Sequence, residues 1–588
     1  MENVCTNIND PLLPLKKLNR PLMLCDCIYQ RPSKMTEWHD YINFVYKDLI
    51  TGEKKLFTIK DPQYEIYLVK PEYRTFKKQR DFLEKSKLIE HVICYKDRFK
   101  EIAKLASDTS GDRKYMDIFR NARSESDKRM LYLYPYILGA DIDIENYYIS
   151  RWQHELANDN QKYVTKFFLD IEVNLKGWEG DIPKNGECPI DAVTLIDGVT
   201  KISHTFLYRT PDNPQVDEFL TPEKQKEFEE KAAELFEDFQ GIKEYRRYMF
   251  DSELEMLKQL FVLIHSLKRD FGLVWNGCGF DLPYIKGRFE QLGVDPKIYM
   301  CHSDFPVPTL ILFEDKKTFD FDKKRSFCTV SSYTHWIDQQ IMYASLRKSQ
   351  GALKKVSLDF IADKEEMGRK IDHTNIGNFT IFSYMDYMMY VLYNIKDVLL
   401  QWGIDEKVDD MFRYYSQCIN NRCPLKDGLK QTVSLRCLFY DLLKYEYDMV
   451  LGHNINFMNA EKDNSDDDED EDDSFEGAIN ADPMLNYPDG LKLFGLASKF
   501  LFGDSIDFDF SAMYPNAIMV FNIFKTTMIG KLIIEGVQHL LSYDQDAGKE
   551  FVEDMIAQDA VHTCHKWFDL PNTEDMTDLI TEELKKSA

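Results

Sequence analysis

The sequence has no apolar run long enough to span a bilayer. Its opening stretch, MENVCTNINDPLLPLKKLNRP, lacks the apolar segment of a secretory leader. Neither a membrane span nor export is therefore expected. Twelve cysteines occur without a single C-x-x-C pair, which argues against a disulfide framework and a zinc site. Reduced, buried thiols in a cytosolic-type compartment are the simplest reading. HTCH at 562–565 has no second ligand pair to complete a metal site. Internal repeats are absent. Positive charge is also short: 74 Lys and Arg face 100 Asp and Glu, a formal net charge of −26. Taken alone, that balance argues against a nucleic-acid binder. Nine of the acids lie in one run, DNSDDDEDEDD, from Asp463 to Asp473, and setting them aside takes the charge from −26 to −17. The run itself reads as a solvated loop. Enzymes that hold divalent ions also spend carboxylates on the metal, so charge does not decide the question.

What is present is ample material for cores. The 588 residues are 44% hydrophobic and 13% aromatic, and at roughly 150 residues per domain the length suggests about four domains. Residues 36–70 alternate apolar and polar around a turn at DLITGEK and read as strands; KKQRDFLEKSKLIEHV then reads as a helix. From about 140 to 410, strands such as FLDIEV, AVTLIDGV and ISHTFLY alternate with helices such as PEKQKEFEEKAAELFEDF and SELEMLKQLFVLIHSLKRD. That order predicts an α/β sheet with flanking helices.

Three stretches carry candidate chemistry. In KFFLDIEV (166–173), Asp170 and Glu172 sit two apart in an apolar run. On a strand they share one face, and two such carboxylates are costly unless a cation lies between them. That cation could be an Arg or Lys, or a metal. In GLVWNGCGFDLPYI (272–285), a short strand leads through a glycine turn to Asp281 and a helix start at Pro283. Asp281 and Asn276 thus fall at the carboxyl end of a strand, where α/β sheets bind ligands; Asp281 could also simply cap the helix. YMMYVLYNIKDVLL (387–400) reads as an amphipathic helix with Tyr393 and Asp397 one turn apart on one face. Four carboxylates, a tyrosine and an asparagine suit Mg²⁺ or Mn²⁺. Two such ions clamp the attacking and leaving oxygens of phosphodiester hydrolysis, and a tyrosine hydroxyl can orient the water.

The ordered set D-x-E, N-x3-F-D and Y-x3-D resembles the Exo I, Exo II and Exo III motifs of the 3′–5′ proofreading exonuclease in family B DNA polymerases. The resemblance implies an RNase H-like fold, two Mg²⁺ or Mn²⁺ ions held by Asp170, Glu172, Asp281 and Asp397, and a water held by Tyr393. Asn276 and Phe280 would touch the frayed 3′ end of DNA. TLILFEDKKTFDFDKKRSFCTV (309–330) reads as two strands around a basic tip with Lys316, Lys317, Lys323, Lys324 and Arg325. It resembles a hairpin that phage members use to part primer from template. SLDFIADKEEMGRKIDH (357–373) resembles the family's connector.

A second resemblance lies further on. DFDFSAMYPNAIMVFNI (507–523) is similar to motif A of the family B palm. That implies a catalytic metal ligand at Asp509, also with two ions, and contacts from Ser511, Ala512, Met513 and Tyr514 to an incoming dNTP. A ring at Tyr514 would exclude a 2′-hydroxyl. FEGAINADP (475–483) is similar to the loop that tracks single-stranded template, with Phe475 and Gly477 in its lead positions. Motif C (D-T-D-S) and motif B of the fingers do not occur in the 65 residues after Ile523. The resemblance, closest to large tailed-phage replicases, therefore implies an α/β multidomain chain. An N-terminal α/β domain (1–139) precedes an RNase H-like exonuclease domain (140–410). A second N-terminal-domain segment and connector with the acidic loop 463–473 follows (411–502), then an incomplete palm (503–588). The expected function is the N-terminal subunit of a split replicative polymerase acting on a DNA primer-template with dNTPs. A second chain would carry fingers, motif B, motif C and thumb, with a sliding clamp as a candidate partner, in the host cytoplasm. The alternatives are a stand-alone exonuclease with a vestigial palm, or an inert DNA-holding module.

Overall fold

In a computed structural model, the described residues are 4–5, 10–453 with short breaks (77–78, 81, 157–163, 181–182, 238, 240, 349–352, 354 and 373–378), 492–493 and 496–497. The chain divides into two units, 1–466 and 467–588. Of the second unit, the described part is an antiparallel pair, Lys492–Leu493 with Leu496–Ala497. The expectations for Phe475, Gly477, Asp509, Ser511, Ala512, Met513 and Tyr514 lie outside the described residues.

In the first unit, the alternating stretch 36–70 forms the strands Tyr41–Asp48, Lys54–Lys60 and Gln63–Val69. The first two join Leu22–Gln30 and Val4–Cys5 in a four-stranded sheet. The helix expected at KKQRDFLEKSKLIEHV is not formed: Phe82–Glu84 and Leu88–Cys94 are strands. Leu88–Cys94 pairs along its whole length with Gln63–Val69 and forms the edge of a three-stranded sheet. Its Lys- and Glu-rich flanks are good helix formers, but a row of open backbone groups on the neighbouring strand outweighs that preference. Charged residues also suit an edge strand. Met449–Leu451 returns from late in the unit to pair with Phe82–Glu84.

The central sheet has six strands: β1 Lys166–Val173, β2 Ile190–Asp197, β3 Ile202–Tyr208, β4 Glu244–Phe250, β5 Phe271–Val274 and, after the hairpin strands β6 Leu310–Phe313 and β7 Phe327–Val330, β8 His335–Asp338. Their spatial order is β4-β3-β2-β1-β5-β8. β1, β2 and β3 are antiparallel neighbours, while β5 and β8 run parallel to β1. β4 runs parallel to β3 at the sheet's edge, so the sheet is mixed, as the α/β reading of this region expects.

The strand period decides what β1 faces. Phe167, Leu169, Ile171 and Val173 pack with Leu257, Leu260, Phe261 and Ile264 of α1 (Glu253–Leu267) and with Leu282, Ile285 and Phe289 of α2 (Asp281–Gln291). Phe168 turns to the opposite core, with Val391, Ile395, Val398 and Leu399 of α4 (Tyr387–Val408), which follows α3 (Gln339–Leu346) in the chain. Asp170 and Glu172 have the parity of Phe168 and therefore face α4. That helix is buried on nearly every side, not amphipathic as its residue pattern suggested. The Tyr and Met stripe of this helix packs against Phe219, Phe382 and the sheet.

Candidate metal centre

β1 and α4 bring three of the expected carboxylates together. Oxygens of Asp170, Glu172 and Asp397 all lie within 4.8 Å of one another. Glu172 is 8% exposed and Asp397 2%. Asp281, the first residue of α2, is 4% exposed and stands outside that group of three, yet its carboxyl feels the charge of Asp170. It does not cap its helix, because Phe280 occupies the capping position without a side-chain bond.

The electrostatics show how crowded the site is. Burial, and then the charge of Asp397, push the Asp170 carboxyl up to about 8. Burial and the charges of Asp170 and Asp397 raise Glu172 well above the ordinary carboxylate range. Burial and Asp170 do the same to Asp281. So many negative charges crowded together oppose one another's ionisation unless a cation joins them. A set of hard oxygen donors that are costly to ionise without a cation is what a divalent ion fits.

Two groups that sequence reasoning did not single out help hold this set. The Lys370 ammonium donates to Asp397 Oδ2 at 2.6 Å and to the Tyr393 hydroxyl at 3.2 Å. Burial works against that ammonium, but Asp397, Tyr393 and Asp170 outweigh it and raise its pKa above the ordinary lysine value. Lys370 lies in the connector, 27 residues before Asp397, and no local spacing links the two. Asn394, fully buried, donates to Asp170 Oδ2 at 2.8 Å. It sits beside Tyr393 and one turn before Asp397, so its neighbourhood was the signal that could have found it. A bulge in β2 between Ile190 and Ala192 frees Asp191 from the ladder, opposite Glu172 and Val173. Asp191 accepts a bond from the Tyr390 hydroxyl at 2.6 Å.

Tyr393 is 7% exposed and lies on the same helix. Burial and then Asp397 raise its hydroxyl above the ordinary phenol range, so it stays protonated. Asn276 follows β5 with φ of 60° and is exposed. A Cβ at Gly279 would stand 2.3 Å from Asn276 Oδ1, so a larger residue there would push the Asn276 amide aside. Phe280 is half-buried and stacks on Tyr284 with ring centroids 5.1 Å apart. The basic hairpin forms as β6 and β7, and Phe319 at its tip is 89% exposed. Among the described residues no helix is long and apolar enough to cross a membrane.

Residues 182–334 match the family model described as DNA polymerase family B, exonuclease domain. This span includes Asn276, Phe280 and Asp281; β1 and α4 lie outside it. The DNA polymerases of Autographa californica nuclear polyhedrosis virus and Bombyx mori nuclear polyhedrosis virus are each 26% identical over 196 residues, 32% of this chain and 19% of theirs. The DNA polymerase delta catalytic subunit of Schizosaccharomyces pombe is 22% identical over 302 residues, 51% of this chain and 25% of that protein. The matched part thus spans a quarter or less of these relatives.

Proposed function

We infer that this chain, which carries a family B DNA polymerase exonuclease domain, removes nucleotides from the 3′ end of DNA and proofreads a replicative polymerase. The observation that carries the reading is the convergence of Asp170, Glu172 and Asp397 from a strand and a helix far apart in sequence. Asp170, Glu172 and Asp397, with Asp281 next to them, would hold two Mg²⁺ or Mn²⁺ ions. When bound, such a pair supplies positive charge to the attacking and leaving oxygens of phosphodiester hydrolysis. Asn394 fixes the direction of the Asp170 carboxylate. Lys370 fixes Tyr393 and Asp397 together, and the protonated Tyr393 hydroxyl orients the water by hydrogen bonding rather than by accepting its proton. Asn276 and Phe280, at the open side of the β5–α2 turn, would contact the last bases of a frayed strand.

We assign the domain boundaries as residues 1–139, 140–410, 411–502 and 503–588. Primer extension is part of the same reading. Asp509 would hold metal, and Ser511 to Tyr514 would line the nucleotide. One palm carboxylate does not complete a two-ion site. Extension would therefore need a segment with motifs B and C, from a second chain or a longer form of this one, and a sliding clamp is a candidate contact.

The test is digestion of 3′-labelled single-stranded DNA by the purified chain with Mg²⁺ or Mn²⁺. Asp170→Ala combined with Glu172→Ala is expected to lower the rate by about 10³-fold or more while circular dichroism stays unchanged. Equal rates in wild type and double variant would overturn the assignment.

A further inference from the structure

The turn that carries Asn276, Phe280 and Asp281 also carries Cys278, and its sulfur lies 3.2 Å from that of Cys328. Cys328 belongs to β7, the strand that leads out of the basic hairpin, where it pairs with Leu312. The two residues are 50 apart in sequence and each is 2% exposed. Among the described residues the pair is not part of any group of three metal-capable side chains. The Cys278 backbone N–H donates to Asp338 Oδ2 at 3.0 Å, and Asp338 in turn caps α3, so the turn is held firmly beneath the sulfur. On the other side, a narrow cleft lined by both cysteines and by Lys324, Arg325, Lys426 and Lys430 gives a small oxidant a way in.

We propose that Cys278 and Cys328 are a reversible thiol–disulfide pair that ties the base of the hairpin to the turn beside the carboxylate centre. A peroxide is the oxidant class that fits so narrow an approach. One thiolate attacks a peroxide oxygen, the O–O bond breaks, and a sulfenic acid forms with release of water. The second sulfur then attacks the sulfenyl sulfur, the S–O bond breaks, the S–S bond forms and a second water leaves. Two thiols have lost two electrons, and one peroxide has become two waters. The hydrogen bond it shares with Cys328, and burial, hold the Cys278 thiol well above the ordinary thiol range, so the first step is slow. The second is fast because its partners are already in contact. That combination favours the disulfide over sulfinic acid. Pinning β7 to the turn would hinder any movement of the hairpin relative to Asn276 and Phe280, which slows delivery of a 3′ end to the site. This last consequence rests on the exonuclease reading above.

The experiment treats the purified full chain with hydrogen peroxide and maps its peptides under non-reducing conditions. Mapping is needed because a second pair of neighbouring thiols, Cys423 and Cys437, influence each other's titration. The expected result is a linked Cys278–Cys328 peptide that dithiothreitol separates. Digestion of 3′-labelled DNA should fall by about threefold or more in step with the link and recover on reduction. Cys328→Ala should digest normally and lose the sensitivity; Cys278→Ala replaces it if the first variant misfolds. Separate Cys278 and Cys328 peptides after oxidation, or Cys278 stopped at sulfinic acid, overturn the proposal. A linked peptide with unchanged digestion overturns its regulatory half. A linked peptide in a chain that never digests DNA supports the thiol pair and counts against the exonuclease reading instead.

Discussion

Lys370→Met keeps most of the side-chain volume and removes the ammonium that stands 2.6 Å from Asp397 Oδ2. The Asp397 side chain is 3% exposed and that of Lys370 29%, so water cannot replace the lost charge on the carboxylate. Breaking a buried pair in this way costs about 3–5 kcal/mol. The carboxyl can escape part of that cost by taking a proton. From an ordinary value near 3.9, protonation costs about 4 kcal/mol at pH 7 and about 1.5 kcal/mol at pH 5. In the variant the buried carboxyl has no ammonium beside it, so the fold disfavours its charged form. The destabilisation therefore grows as pH rises through the acid range and vanishes near pH 4. The expected loss is about 4 kcal/mol at pH 7 and about 1.5 kcal/mol at pH 5 when divalent ions are chelated. Mg²⁺ replaces the missing charge, and at about a hundredfold excess over its Kd it should return about 2.7 kcal/mol. Urea unfolding followed by tryptophan fluorescence, at both pH values with Mg²⁺ or with EDTA, measures all four conditions. A loss that is the same at pH 5 and pH 7, or one that Mg²⁺ leaves untouched, would refute the view that Lys370 balances the carboxylates.

Asn394→Ala frees the Asp170 carboxylate and should weaken Mn²⁺ binding by about 10- to 100-fold, read by calorimetry, with the fold unchanged. Asp270→Ala strands the buried ammonium groups of Lys54 and Lys47, now 2.6 and 3.1 Å from it. It should cost about 3–5 kcal/mol in urea unfolding, and adding Lys54→Met should recover part of the loss. Glu65 is opposed by burial, but Lys444, Tyr67 and Tyr147 hold its carboxyl down at about 2. Its contribution, about 3 kcal/mol, is present above the ordinary pH of carboxyl titration and is lost as pH falls from about 4.5 towards 2. Glu65→Gln should flatten the stability profile in that window.

The core of the site was legible because it depends on local periods. A D-x-E pair on a strand must share a face, so Asp170 and Glu172 point together whatever surrounds them. The same holds for Tyr393 and Asp397, which stand about one helical turn apart, and for Asp281 after a short strand and a glycine turn. The strands β2 and β3 and the hairpin around its basic tip were legible as short apolar runs. Three things were decided only in space. Lys370 meets Asp397 because the connector folds back on α4, and charge complementarity has no period to read. The segment around Leu88–Cys94 has helical composition, yet Gln63–Val69 offers it backbone partners that an isolated helix would not need. And α4 carries polar residues on a helix buried all round, because its Asn, Asp and Tyr groups find partners on β1, β2 and Lys370. Residue order determines which groups a single strand or turn presents. The free energy of burying charge, which depends on every neighbour at once, determines which of them come together.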